Sequence, residues 1–146
     1  MIYKLVVVLL LSISVMGCTT NTSNSQLVTV ATKYNGLHER KHRKQIQGLI
    51  GVSPTRYPWC GYFAAAVVKK AGKTPPKNYP RARAWMKYGK AVKKSDIRKG
   101  DIIVLGNHVA IVTRVEGKRI HHISGNYSNK VGYGVYNLSR IEAIRR

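Results

Sequence analysis

Nucleophilic chemistry in this chain centres on one cysteine and a few histidines. Cys60 opens the strongest helical stretch, residues 60–71 (CGYFAAAVVKKA), which is alanine-rich, carries lysines at its C-terminal end and is closed by Gly72. Backbone N–H groups and the helix dipole favour a thiolate at such a position, and the thiolate is the attacking species. A free cysteine is equally a small core hydrophobe, so position by itself supports both roles evenly. A thiolate nucleophile needs a base. Of five histidines, His38 and His42 fall in a basic stretch that reads as solvated. His121 and His122 are adjacent, so in a strand they point to opposite faces. His108 follows Gly106-Asn107 and precedes the apolar residues 109–112, which puts it at a sheet rim where a helix N-terminus can meet it. The base in turn needs an orienting group. Residues 124–129 (SGNYSN) follow the return strand of a hairpin, and this brings Asn126 within reach of the second ring nitrogen of His108. An amide oxygen there fixes the tautomer without adding charge. Gly-Asn pairs are also common turn residues.

The elements that must position these groups follow from periodicity. Residues 27–34 suit helix or strand and end at Asn35-Gly36. Residues 41–50 read as a short basic helix with Ile46, Leu49 and Ile50 on its apolar side. Ser53-Pro54 and Tyr57-Pro58 force an extended segment, because a residue before proline is driven out of the helical region. Beyond the cysteine helix, Pro75-Pro76 predicts a loop and residues 80–88 a second helix, closed by Gly89. From Asp101 the pattern turns to β: residues 102–105, 108–115, 119–123, 132–137 and 141–145. Helices first and about five strands later predict an α+β fold with an antiparallel sheet.

The N-terminus reads as an address. A single lysine precedes an apolar run at residues 5–11, which Ile13, Val15 and Met16 extend. It is too short to span a bilayer, which takes ~20 residues, and fits a secretory signal peptide. Val15-Met16-Gly17-Cys18 resembles a bacterial lipobox, which implies cleavage before Cys18 and acylation of its thiol. The expected organisation is a signal peptide at 1–17, lipidated Cys18 with a polar tether at 18–26, and a catalytic-type domain at 27–146. The expected location is outside the cytoplasm, lipid-anchored to a bacterial membrane at its periplasmic face or at the cell surface.

Charge narrows the partners. The chain has 146 residues, with 26 Lys and Arg against 5 Asp and Glu, a net charge of +21. Loss of Lys4 with the signal leaves about +20 by the same count. Such a domain is attracted to polyanions: anionic wall polymers, lipopolysaccharide or phospholipid head groups. Nucleic acid fits on charge alone, but the export signal and the absence of a nucleic-acid motif argue against it. No Gly-rich phosphate loop and no clustered metal ligands occur, so no cofactor or metal is expected.

Four segments in order carry a family resemblance: Pro58-Trp59-Cys60-Gly61-Tyr62-Phe63, Lys99-Gly100-Asp101-Ile102-Ile103-Val104, His108-Val109-Ala110-Ile111-Val112 and Gly125-Asn126-Tyr127-Ser128-Asn129. They resemble the motifs of CHAP and NlpC-type cell-wall hydrolases, over roughly residues 34–146. The resemblance implies a papain-like fold and hydrolysis of a peptidoglycan amide, as an N-acetylmuramoyl-L-alanine amidase or a peptide endopeptidase. It implies Cys60 as nucleophile, His108 as base and Asn126 as orienting group, with Tyr57 and Trp59 as candidates for the oxyanion and substrate groove. Two departures stand out. Gly61 occupies a position where the family usually has Ala or Ser. Ser124 stands where many CHAP members carry Glu, which leaves Ser124, His121 and His122 as further choices for assisting the base. A contrasting reading is a non-catalytic basic lipoprotein on the same fold, binding the wall or another polyanion.

Overall fold

The computed structural model describes residues 22–146. The signal peptide expected at 1–17 and the acylation site Cys18 lie outside the described residues. Three helices come first: α1 (Thr22–Thr32), α2 (Arg43–Ile50) and α3 (Cys60–Lys70). Five strands follow: β1 (Ile102–Leu105), β2 (His108–Glu116), β3 (Arg119–Tyr127), β4 (Lys130–Asn137) and β5 (Ala143–Arg145). They form one antiparallel sheet in the order β4-β3-β2-β1-β5. This is the expected α+β fold with its five-stranded sheet, and it is consistent with a papain-like domain.

Period-two alternation divides the strand residues between two cores. Ile102, Val104, Val109, Ile111, Ile123 and Val131 pack with the helices, against Leu27, Ile46, Phe63, Val67 and Trp85. Ile103, Leu105, Ala110, Val112, Ile120 and Ile144 face the other way, under Val92, Ile97, Tyr136 and Leu138. Both faces of the sheet are covered, which is why β1 is buried along its whole length.

Three local expectations change. The second helix expected at 80–88 is a tighter 3₁₀ segment, Ala82–Lys87, flanked by extended Arg81 and Tyr88. The polar stretch expected as a tether to residue 26 is helical from Thr22. Asn24 within it is buried, and Lys73 Nζ donates to its Oδ1 at 2.8 Å. A partner from a distant loop overrides the local polarity. Third, β3 runs four residues further than the expected return strand, into Tyr127.

That extension contains the irregularity on which the site depends. Ser124 pairs with Gly132 and Tyr127 with Lys130, so three steps on β3 face two on β4. The extra residue is a β-bulge, and Asn126 within it has φ +54°. Gly125 beside it lies directly under α3: a Cβ there would overlap Phe63 and approach the Trp59 ring to 2.9 Å. Only glycine lets the helix approach this closely.

The start of β1 is secured by charge. Asp101, fully buried, accepts from Arg98 N at 2.9 Å and from Arg146 Nε and Nη2 at 2.8 and 2.9 Å. The bidentate guanidinium ties the last residue of the chain to the first strand. Replacing Asp101 with Ala strands the Arg146 cation and leaves the Arg98 N–H without its acceptor, and the expected cost is about 3 kcal/mol of stability. Urea unfolding of the two proteins, with stability extrapolated to water, measures it.

Candidate active site

Cys60 is the first residue of α3, and Trp59 before it provides no side-chain cap. The first-turn N–H groups are therefore not consumed by a capping oxygen. The Cys60 thiol donates to the Asn107 carbonyl at 3.7 Å, the residue just before His108. Helix start and strand start thus meet, as their positions in the sequence led one to expect. Burial pushes the Cys60 thiol above its usual range, against backbone hydrogen bonds from Val109, Gly61 and Cys60 that favour the thiolate. Desolvation outweighs the helix end here, so the resting group is a neutral thiol rather than the thiolate expected from position alone.

His108 opens β2. Its Nε2 lies 2.9 Å from Ser124 Oγ. Asn126, expected to hold this nitrogen, makes no hydrogen bond to it. Ser124 does so instead, because the bulge and the left-handed backbone at Asn126 end the regular alternation that would carry residue 126 onto the same face. Ser124 in turn lies 3.4 Å from Nδ1 of His122. His122 is fully buried, stacked on Tyr136 at 4.4 Å and 6°, with Tyr127 edge-on at 5.0 Å. Its Nε2 has no hydrogen-bond partner. His121 sits on the opposite face and lies 2.9 Å from Glu116 Oε2, away from His108. Of the two adjacent histidines, His122 is therefore the one that joins the site.

Desolvation lowers the pKa of both His108 and His122 to about 4, with His108 and His121 adding to the effect at His122. Both rings are neutral near pH 7. With both rings neutral, the hydroxyl chain can run in either direction. In the direction in which His108 Nε2–H donates to Ser124 Oγ and Ser124 Oγ–H donates to His122 Nδ1, the Nδ1 lone pair of His108 is free to accept.

The thiol opens into a cleft of 460 Å³ lined by Tyr57, Pro58, Cys60, Tyr62, Arg81, Arg83 and Asn107, among others. Tyr57, half exposed, lines this cleft. Trp59 does not. It is fully buried, edge-on to Phe63, and its Nε1 donates to Glu39 Oε2 at 3.2 Å. Its large apolar surface is worth more in the core than in a groove. Arg81 and Arg83, which periodicity had placed only on a helix, are the groove residues that the sequence reading missed. Their one sequence signal was the Tyr-Pro-Arg break that ends the preceding loop.

A cysteine on a helix N-terminus beside a histidine on a strand start, with a polar partner from the next strand, can perform acyl transfer. A model of the CHAP domain matches residues 52–126, just over half of the chain. The chain belongs to the CHAP family. CHAP domains are typically peptidoglycan hydrolases of the amidase or endopeptidase kind. The matched segment contains α3, β1, β2 and β3 up to the bulge. β4 and β5 complete the CHAP sheet beyond it. A comparison with curated proteins returns no match. Among the described residues no group of three or more His, Cys, Asp or Glu is placed to hold a metal ion.

The two depressed histidines have a consequence for stability. Each folded pKa lies near 4 and each unfolded value near 6.5, so between these limits the unfolded chain binds more protons. Their stabilisation is complete above about pH 6.5 and is lost as pH falls through about 4. The melting temperature should decline steadily from pH 7 to pH 4. Substituting His122 by Phe should flatten that decline, as followed by circular dichroism.

Proposed function

We propose that this chain cleaves an amide bond of peptidoglycan by thiol acyl transfer, with Cys60 as nucleophile and His108 as general base and acid. The observation that supports this most directly is the meeting of the Cys60 thiol with the turn that carries His108, at the floor of an open cleft. The resting pair is neutral. As Sγ attacks the carbonyl carbon, His108 Nδ1 takes the thiol proton, and the carbonyl oxygen becomes an oxyanion within reach of the uncapped N–H groups of the α3 first turn. The imidazolium gives its proton to the amide nitrogen, the C–N bond breaks and the amine departs. Water, deprotonated by His108, then attacks the thioester, and the acid and the free thiol are released. Ser124 positions His108, and His122 positions Ser124. This hydroxyl–imidazole chain takes the place of the expected Asn126.

Export and acylation at Cys18 belong to the same reading, supported by the lipobox-like Val15-Met16-Gly17-Cys18. Three residues separate Cys18 from α1. A chain of that length reaches at most about 14 Å, so a lipid on Cys18 would hold the domain close to the bilayer. There its basic surface adds attraction to anionic head groups or wall polymers.

Incubation of the protein with isolated peptidoglycan, followed by mass spectrometry of the released fragments, tests the proposal. Wild type should release fragments whose masses name the bond cut, and Cys60→Ala should release none. His108→Ala should lose about 10²-fold or more. Ser124→Ala should lose about tenfold, with Ser124→Thr recovering part. Release that survives Cys60→Ala, or pull-down on peptidoglycan with no release by any form, would overturn the hydrolase reading in favour of a binding lipoprotein.

A pH profile gives a second check. Because catalysis needs neutral His108, kcat/KM should hold from pH 7 to about 5 and fall below about 4. A limb near 6.5 would show that His108 is better solvated than its burial implies.

A further inference from the structure

The cleft over Cys60 has an unbalanced charge. Arg81 and Arg83 line it and no carboxylate does. The two arginines differ. Arg83 Nη1 is paired with Glu142 Oε2 at 3.1 Å, and Glu142 Oε1 accepts from Gly106 N at 2.6 Å. Arg83 is thereby committed to bracing the 3₁₀ segment against the β1–β2 turn that carries Asn107. The exposed side chain of Arg81 has no ion pair and no hydrogen bond among the described residues.

The Arg81 backbone, by contrast, is held on both sides. Its N–H donates to Asn78 O at 3.0 Å, and its carbonyl accepts from Ala84 N at 3.0 Å. Just before it, Tyr79 O accepts from Trp85 Nε1 at 2.9 Å, and that indole is fully buried. Gly61, next to the nucleophile, completes the support. A Cβ on residue 61 would collide with the backbone of Tyr79 and Pro80. The glycine lets the Tyr79–Pro80 turn press directly on the first turn of α3. It thus sets Arg81, one residue further on, at the rim of the same cleft. The departure to Gly at 61 therefore has a spatial purpose.

We propose that Arg81 is a carboxylate-binding residue, so that the preferred substrate is a peptide amide with a free carboxylate beside the scissile bond. The inference rests on the hydrolase reading and deepens it by naming the substrate class. A guanidinium presents a planar fork that matches a carboxylate in two parallel hydrogen bonds. An unpaired one on a fixed backbone, in a groove without competing acids, is ready to make them. The carboxamide form of the same peptide cannot supply the charge. Arg81 then acts on binding, while Cys60 and His108 act on the bond.

The test uses the full chain and two probes: a peptidoglycan stem-peptide fragment with its free α-carboxylates, and the same fragment with those groups amidated. Wild type should favour the carboxylate form by about tenfold in kcat/KM. Arg81→Gln should raise KM on the carboxylate form by that factor and bring the ratio of the two forms near one. Arg81→Lys should restore part of the preference, and the preference should shrink with added salt. Equal losses on both probes, or no preference in wild type, would overturn the proposal. Calorimetry on Cys60→Ala with the same probes separates the two ideas. Carboxylate-selective binding that needs Arg81, in a wild type without turnover, would sink the hydrolase reading and support the anion site. Turnover without carboxylate preference would sink the anion site alone. Neither turnover nor selective binding would sink both.

Discussion

The seating of the α3 N-terminus on the bulged end of β3 is the contact from which the other features of the site follow. Phe63, one turn into the helix, occupies the space that Gly125 leaves empty, and the Trp59 ring closes the same gap from the preceding residue. With the helix held at that height, Cys60 meets the turn before His108. The bulge that makes room for Phe63 is also the place where β3 loses its alternation. Close packing and the choice of partner for His108 are thus one structural event, since a side chain at residue 125 would disturb both.

That contact also sets the electrostatics. A site pressed between a helix and a sheet is dry, and dryness penalises charge on either partner. The thiol is raised and both buried imidazoles are lowered, so in the resting site the proton stays on sulfur. A carboxylate beside His108 would pull the ring toward the imidazolium. Ser124 contacts it without doing so, and His122 in turn holds the hydroxyl through its Nδ1. A neutral, buried thiol is a weaker resting nucleophile than a thiolate. It is also slower to oxidise.

The scarcity of acidic residues reflects where they are used. Glu39 accepts from the Trp59 indole, Asp101 holds Arg146, and Glu142 holds Arg83. Glu116 gathers Arg114, Arg119 and His121 at the far end of β2, and Asp96 accepts from Ser95. All five acids have local structural partners, so most Lys and Arg among the described residues face solvent without a counter-charge. Such a surface is attracted to anionic polymers in general. Selectivity has to come from a place where a cation is held in a shaped groove, and the Arg81 rim is such a place.

Much of this molecule could be read from residues in order. Alanine-rich residues closed by Gly72 specify α3, because helix propensity and capping act within a turn or two. Alternation from Asp101 onward specifies the strands, and antiparallel pairing follows from their short connections. Cys60 and His108 stand out in the sequence for the same reason: each sits at the boundary of a locally encoded element. What the tertiary structure alone decided concerns contacts between distant segments. Asn24 became helical and buried because Lys73 reaches it. Trp59 went to the core because Glu39, 20 residues earlier, satisfies its indole. Ser124 rather than Asn126 holds His108 because an extra residue in β3 shifts the face, and a bulge is set by the helix packed above it rather than by its own sequence. The protonation state of the site belongs to this second group. Desolvation depends on what surrounds a side chain in space, whereas the order of residues encodes only what lies beside it along the chain.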